Sequence, residues 1–158
     1  MQVPQADIAK SPYSLSQRVP AGAFQAETEM DFNPASMATE AGLAIFGIDC
    51  LQNGLASWTG KDGARKRVLA IKKNAVELCA VPCPPGRLHL VLDFSFGGAC
   101  RFGLRAEAAR IDWVGPSMQA RKGDWVGARV GLYCVSGGPF PTADYADFDF
   151  FRFSPPGK

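Results

Sequence analysis

The stretch that decides the fold runs from Trp125 to Phe153 and reads WVGARVGLYCVSGGPFPTADYADFDFFRF. From Val126 to Cys134 every second residue is apolar, and the residues between them are two glycines, Arg129 and Tyr133. Successive side chains of a β-strand point to opposite faces of its sheet, so this period predicts a strand with one apolar face. A Ser-Gly-Gly-Pro turn separates it from a second strand, over residues 145–153.

The second strand carries aromatic residues on both of its faces: Tyr145, Phe151 and Phe153 on one, Phe148 and Phe150 on the other. Aromatic side chains bury large apolar areas, so we expect both faces to be covered. We therefore expect this strand to lie in the middle of its sheet and not at an edge.

The rest of the chain repeats short alternating runs that end at glycine or proline. No window shows the 3.6-residue apolar period of a helix of ordinary length. Strand runs are predicted at 13–19, 24–33, 41–50, 55–59, 67–71, 76–81, 87–96 and 100–105. Many short one-sided strands are typical of an all-β protein. We predict two antiparallel sheets packed face to face, a β-sandwich of the jelly-roll type.

Three of these segments carry local expectations that the structure can test. The run 41–50 is apolar on both faces, which predicts an interior strand that extends to Cys50. In the run 87–96 every second side chain is apolar, and Phe96 is expected to face inward with the others. Residues 115–124 are expected to form a loop.

The length and charge of the chain exclude some classes of partner. With 158 residues it is long enough for one domain with its own core. The 17 basic and 15 acidic side chains give a formal charge of +2, which does not indicate a nucleic-acid partner. No apolar run approaches the roughly 20 residues that cross a bilayer, so no membrane contact is expected. We expect a linker or tail at 1–12, the sandwich domain at 13–154 and a tail at 155–158.

The five cysteines cannot all form pairs with one another. Cys79 and Cys83 are close in sequence, but a single histidine, His89, cannot complete an ordinary structural zinc site with them. Two interpretations stay open, free thiols in strand positions or one disulfide bond. No metal ligand is assigned.

Three acids on the polar face of one predicted strand, Glu27, Glu29 and Asp31, suggest an enzymatic alternative. At i, i+2 and i+4 their carboxylates are spaced about 6.5–7 Å apart, within the range that glycosidases use for an acid and its partner. A solvated outer face explains the same pattern. His89 lies on the polar face of its own strand, where a surface position is the simplest interpretation.

Two motifs resemble a known family. Trp-Val-Gly-Ala-x-Val-Gly-Leu-Tyr at 125–133 and Ala-Asp-Phe-Asp-Phe-Phe-Arg-Phe at 146–153 resemble the end of the C-terminal β-sandwich of family 43 glycoside hydrolases, which are β-xylosidases and α-arabinofuranosidases. The resemblance continues more loosely upstream through Ala41-Gly42-Leu43 and the segment from Phe102 to Gly115. It implies a concanavalin A-like sandwich and a start that is a linker from a preceding domain.

The resemblance also implies a role. In that family a separate propeller carries the catalytic acids, so this chain is expected to be a non-catalytic accessory domain that packs on a catalytic propeller, in cis or in trans. The substrates of the whole enzyme would be xylan or arabinan oligosaccharides, and a secreted or periplasmic location is favoured over a cytoplasmic one. Trp125 occupies the position of an aromatic residue that helps to wall the xylose subsite; a core tryptophan is the alternative.

A third interpretation is a stand-alone carbohydrate-binding module. The strand face with two glycines would receive a sugar chain beside Arg129 and Tyr133. No catalytic residue and no cofactor are assigned to this chain. A structural calcium near Asp147 and Asp149 stays open, and Asp149 is expected to have mainly a structural role among its aromatic neighbours.

Overall fold

The computed structural model describes residue 8 and residues 14–34, 39–59, 61–106, 110–122, 127–136 and 144–156. Within these ranges it contains eleven β-strands and no α-helix. No helix long and apolar enough to cross a membrane occurs in these ranges. The strands are β1 (Ser14–Arg18), β2 (Phe24–Asp31), β3 (Thr39–Phe46), β4 (Cys50–Thr59), β5 (Arg65–Lys73), β6 (Val76–Pro82), β7 (Leu88–Phe94), β8 (Ala99–Arg105), β9 (Asp112–Gln119), β10 (Arg129–Ser136) and β11 (Asp147–Ser154).

The strands form two antiparallel sheets. The six-stranded sheet has the order β1-β10-β3-β4-β5-β6, and the five-stranded sheet has the order β11-β2-β7-β8-β9. Neighbours such as β10 and β3 are far apart in sequence, so the chain passes repeatedly from one sheet to the other. The prediction of an all-β, two-sheet antiparallel sandwich is confirmed.

The hydrophobic core fills the space between the sheets. Strands such as β2 and β7 contribute every second side chain to it, as the pleat requires. The largest fully buried members include Phe32, Phe102, Met30, Leu43 and Leu55. Burial of one such side chain contributes about 1.5–3 kcal/mol, so this layer supplies most of the driving force for folding.

The last strand lies at the edge of the five-stranded sheet, so the prediction of an interior position is wrong. β11 pairs only with β2, and its register shifts at a bulge between Phe148 and Phe150. A bulge inserts one extra residue and reverses the alternation of faces after it. Phe148, Phe151 and Phe153 therefore all pack against the core, whereas Phe150 lies outside. A simple alternation would divide these aromatic side chains between the two faces of β11. Because of the bulge, three of them lie on one face.

Three local predictions also need correction. β3 ends at Phe46, and Cys50 begins the next strand, because Gly47–Asp49 form a tight turn. β9 extends through Gln119 and so occupies the first half of the segment expected to be a loop; it is an edge strand, where Pro116 costs no ladder hydrogen bond. Phe96 lies beyond the end of β7 and is 86% exposed, so it does not face inward.

Candidate functional site

The three acids of β2 lie on the outer face of the five-stranded sheet, as predicted, but solvent reaches them unequally: Asp31 is exposed, Glu29 is half-buried and Glu27 is buried. Glu27 is only 6% exposed. Its Oε2 accepts hydrogen bonds from Nη2 and Nε of Arg152, at 2.6 and 3.1 Å. Its Oε1 accepts a hydrogen bond from Arg105 and lies 2.8 Å from Nδ1 of His89. Three basic side chains from β7, β8 and β11 thus converge on one carboxylate.

The neighbouring acids extend this ion-pair network. Glu29 Oε1 accepts a hydrogen bond from Nη1 of Arg87 at 3.0 Å, and Asp31 Oδ2 lies 4.0 Å from Nε of the same arginine. His89 Nε2 is 3.4 Å from Glu29 Oε2, so the imidazole bridges two glutamates and is partly buried, not a surface side chain. A carboxylate whose lone pairs are already occupied has none left for a substrate or a water. The geometry therefore favours a structural role for Glu27, whose two oxygens are occupied in this way.

The cavity directly beside the acids is small. A cavity of about 140 Å³ lies beside them, lined by Glu29, Asp31, Arg87, Asp147, Phe148 and Asp149. Small-molecule sites usually measure about 300–1,000 Å³. Asp149 is exposed at the β11 bulge. Within the described ranges, no group of three or more His, Cys, Asp or Glu could hold a metal ion.

Tyr133, one of the two residues predicted to bind carbohydrate, is buried on the outer face of the six-stranded sheet. It is 1% exposed and packs with Ile8, Ala44 and Val135. Ile8 lies in the segment expected to be a linker or tail, so at this residue the segment packs on the sandwich. The buried ring has no exposed face for stacking on a sugar.

The hydroxyl of Tyr133 belongs to a buried polar cluster that sequence reasoning missed. It donates a hydrogen bond to Glu40 Oε1 at 2.5 Å, and burial together with this carboxylate raises the pKa of Tyr133 well above its usual value. Lys72 forms an ion pair with Glu40 Oε2, and Gln52 lies 3.5 Å from Oε1. On the outer face of β3, β4 and β5, the polar residues Glu40, Gln52 and Lys72 are interspersed with small residues. This pattern is the sequence feature that could have indicated a buried polar cluster.

Gly42 and Gly54 form the floor under this cluster. A Cβ on Gly54 would lie 2.1 Å from the Tyr133 hydroxyl, and a Cβ on Gly42 would lie 2.0 Å from the carbonyl oxygen of Asn53. Gly54 therefore leaves room for the tyrosine hydroxyl, whereas Gly42 allows the backbone of β4 to approach closely. The room at Gly54 is filled by a side chain of the same chain and not by a ligand.

Arg129 is exposed near one edge of the same sheet. Its Nη2 donates a hydrogen bond to the carbonyl oxygen of Ser16 in β1, at 3.0 Å. Arg129 and Tyr133 therefore do not form one exposed surface. Carbohydrate binding by this pair stays a prediction.

Trp125 lies outside the described residues, so its predicted place at a substrate pocket stays a prediction. The residues on either side of that segment, Lys122 and Gly127, both line a cavity of about 590 Å³ at one end of the sandwich. Its other lining residues include Arg18, Val19, Pro20, Gly22, Phe94 and Phe96. We call this surface, formed by residues 18–22, 94–98, 120–122 and 127–128 together with the turn at 47–49, the Phe96 end.

The Phe96 end is apolar and basic. Phe96 and Ile48 are exposed there, beside the exposed Arg18, Arg121 and Lys122. Exposed aromatic and aliphatic side chains with a charged rim are typical of surfaces that contact another protein. The end therefore has the character of an interface.

Asp49 fixes the shape of the Phe96 end. Its Oδ2 accepts a hydrogen bond from Nε of Arg121 at 2.8 Å, and its Oδ1 accepts one from Nδ2 of Asn74 at 2.9 Å. Lys73 Nζ lies 3.4 Å away. These hydrogen bonds, that of Arg121 first, hold the pKa of Asp49 well below its usual value. One carboxylate thus ties together two turns of the six-stranded sheet and the segment that leads to residues 123–126.

None of the five cysteines, all of which lie within the described residues, forms a disulfide. Burial raises the pKa of Cys83 to about 11 and that of Cys100 to about 12. Such thiols carry almost no thiolate at neutral pH, which makes them poor nucleophiles and poor metal ligands. The free-thiol alternative is the one that the structure contains.

The comparisons with known proteins agree with the fold. The family model described as "Beta xylosidase C-terminal Concanavalin A-like domain" matches residues 3–154. No curated protein matched the chain.

Solved structures of family 43 proteins resemble the sandwich. A Bacteroides ovatus protein described as "Xyloglucan PUL GH43B" gives a TM-score of 0.69 at 22% identity, over 89% of this chain and 29% of its own. The xylan β-1,4-xylosidase from Bacillus halodurans C-125 gives 0.70 at 21%, over 87% and 28%. A bifunctional GH43-CE protein from Bacteroides eggerthii gives 0.75 at 18%, over 93% and 20%. At these identities the similarity establishes the fold, and the chain spans less than a third of each of these proteins.

Proposed function

The chain belongs to the family of β-xylosidase C-terminal concanavalin A-like domains, and from this membership we propose that it is the accessory domain of a family 43 glycoside hydrolase and docks through the Phe96 end onto a separate catalytic propeller. The observation that supports the docking surface is the 86% exposure of Phe96 at the rim of a 590 Å³ cavity. Burial of a ring this exposed on docking would contribute about 1.5–3 kcal/mol.

The places of the two residues that flank the segment 123–126 support the same orientation. This segment connects Lys122 and Gly127, which both line the cavity of the Phe96 end. If Trp125 helps to wall a substrate pocket, the surface on which its segment is anchored faces the catalytic domain as well. The basic rim formed by Arg18, Arg121 and Lys122 would then meet an acidic surface of the propeller.

In this proposal the chain contributes no catalytic residue. The carboxylate of Glu27 is occupied by Arg105, Arg152 and His89, so the most buried of the three β2 acids is not free to act as an acid or a base. Hydrolysis of xylan or arabinan oligosaccharides would belong to the propeller. The isolated chain should therefore leave aryl-xylosides and aryl-arabinosides intact.

Docking can be tested by calorimetry with the propeller domain that accompanies this chain, in cis or in trans. Phe96→Ser should lower the association constant by about tenfold or more, because it removes the most exposed ring of the interface. Tyr145→Ser is the matched control: Tyr145 is 72% exposed, but it precedes β11 at the opposite end of the five-stranded sheet. Equal affinity of the wild type and the Phe96 variant would contradict the proposed surface.

A further inference from the structure

A groove crosses the outer face of the five-stranded sheet, and its lining shares no residue with the cavity of the Phe96 end or with the three acids of β2. It has a volume of about 710 Å³, within the range of about 300–1,000 Å³ typical of small-molecule sites. Its lining residues are Gln25, Asp93, Arg101, Arg110, Ile111, Asp112 and Trp113. The function proposed above does not use this surface.

Trp113 provides an aromatic wall for the groove. The indole is 37% exposed and belongs to β9, opposite Gly103 of β8. A Cβ on Gly103 would lie 3.0 Å from Cε3 of the indole and 2.8 Å from Cγ2 of Ile111. Glycine at this position thus allows the ring to lie close against the sheet, where a larger residue would lift it away.

Arg101 stacks on this ring and is itself held in place. The guanidinium carbon lies 3.9 Å from the centroid of the Trp113 ring, and Nε lies 3.4 Å from Oδ2 of Asp93. A cation over an indole face is a favourable contact, and the ion pair with Asp93 restricts the guanidinium further. Because the guanidinium covers one face of the indole, the outer face of the half-exposed guanidinium and the edge of the indole together form the platform, made from neighbouring strands.

A row of polar side chains continues from the platform across the sheet. Gln25, Asp93 and Arg101 are successive partners on β2, β7 and β8 and point to the same face. Neighbouring strands are about 4.8 Å apart, so a new polar group appears at intervals comparable with the length of one pyranose unit. Carboxylate, amide and guanidinium groups each offer two coplanar hydrogen-bonding atoms, which suits the adjacent hydroxyls of a sugar ring.

The groove is electrically balanced. Arg101 and Arg110 face Asp93 and Asp112, and both arginines have their partner carboxylate inside the groove, at 3.4 and 4.0 Å. Two positive and two negative groups give no net attraction for a strongly charged ligand. A neutral ligand with many hydroxyls and apolar ring faces fits this combination of groups.

We propose that this groove binds a neutral oligosaccharide of pyranose units, with one ring against the platform of Trp113 and Arg101 and the next rings along the row of Asp93 and Gln25. This binding would anchor the domain to a glycan chain independently of any catalytic domain. It goes beyond the accessory role proposed above and uses a different surface of the sandwich.

The test is an NMR titration of the isotope-labelled 158-residue chain with xylohexaose. The indole N–H resonance of Trp113, assigned by its loss in Trp113→Phe, should move in a saturable way. Trp113→Ala should lower the association constant by about tenfold or more, since the aromatic surface is lost. Arg110→Ala changes a highly exposed side chain, so it keeps the fold and should weaken binding measurably even if Trp113→Ala perturbs the strand.

Tyr145→Ala removes an exposed aromatic outside the groove and should leave the affinity unchanged. No movement of the Trp113 indole at millimolar xylohexaose would overturn the proposal, and so would equal affinity of Trp113→Ala with an intact backbone amide spectrum. Binding of a glucuronic acid-bearing xylo-oligosaccharide more than about tenfold tighter than xylohexaose would overturn the neutral class of ligand. Phe96→Ser should not alter this titration, so failure of docking and failure of the groove are distinguishable.

Discussion

At the scale of single residues, some polar side chains that the alternating pattern predicts to be exposed are buried. Glu27 and Glu40 both lie in β-strands among apolar neighbours, and both are compensated by cations that come from distant parts of the sequence. Burial of a charge is costly unless it is paired and hydrogen-bonded. These two carboxylates are therefore positions at which one substitution has a large effect.

Loss of the cation that compensates Glu40 should be strongly destabilising. Lys72→Met leaves a buried carboxylate without its ion-pair partner, and we expect the free energy of unfolding to fall by about 3–5 kcal/mol. Urea denaturation followed by fluorescence measures the change. Lys66→Met is the control, because Lys66 is exposed and only loosely paired with Asp62.

The double variant Glu40→Gln with Lys72→Met separates charge from packing. Glutamine keeps an acceptor for the Tyr133 hydroxyl but carries no charge, so the double variant should recover part of the lost stability. If the double variant is less stable than Lys72→Met alone, the cost does not come from an uncompensated carboxylate.

At the scale of elements, alternation of apolar and polar residues located most strands but not their phase or their ends. The pattern of β2 and of β7 is uninterrupted, and the faces of both were correctly predicted up to Phe94. β11 contains a bulge, which changes the phase without changing the composition. Gly115 and Pro116 suggested a loop, yet they lie in β9, where an edge position tolerates both. Bulges and edge positions depend on which strands pair, and the residues of one strand alone do not determine its partners.

The turns of the six-stranded sheet should lose stability in acid through Asp49. The pKa of Asp49 in the folded chain is held below its ordinary value of about 3.9, so its contribution is present above that pH and is lost as the pH falls. Asp49→Asn should lower stability by about 1 kcal/mol at neutral pH, since the arginine partner is exposed, and should flatten the decline between about pH 5 and pH 2.

Urea denaturation at a series of pH values tests this expectation. Asp62→Asn is a suitable control, because Asp62 is exposed and its contact with the amide of Ala64 is retained by asparagine. An Asp49→Asn variant with the same acid sensitivity as the wild type would show that this carboxylate does not stabilise the turns.

At the scale of the whole molecule, two sheets enclose one core, and both outer faces are partly buried as well. The six-stranded sheet buries Tyr133 and Glu40 on its outer side, and the five-stranded sheet buries Glu27. The amino-acid composition did not predict burial on the outer faces, because small and charged residues in a strand usually indicate a solvent-exposed face. Among the described residues, the Phe96 end and the groove at Trp113 are two exposed features that are available to partners and ligands.

The thiols should report the opening of the whole sandwich. Burial raises the pKa of Cys100 to about 12 and that of Cys83 to about 11, so neither should react with maleimide in the native state at pH 7. Alkylation of Cys100, which lies in the core, should follow global unfolding. All five thiols should titrate in guanidinium chloride without a reductant; fewer than five would indicate a disulfide.

The sequence by itself determined the fold class, the one-sided strands and the family, because the period of two and the terminal motifs are local properties of the chain. Only the tertiary structure decided the edge position of β11, the burial of Tyr133 and the ion pairs of Glu27. These depend on which strands lie side by side, and that choice is made by packing between residues as far apart as Glu27 and Arg152. The exposure of Phe96 and the groove beside Trp113 follow from the same pairing, since turns and edges exist only once the sheets have formed.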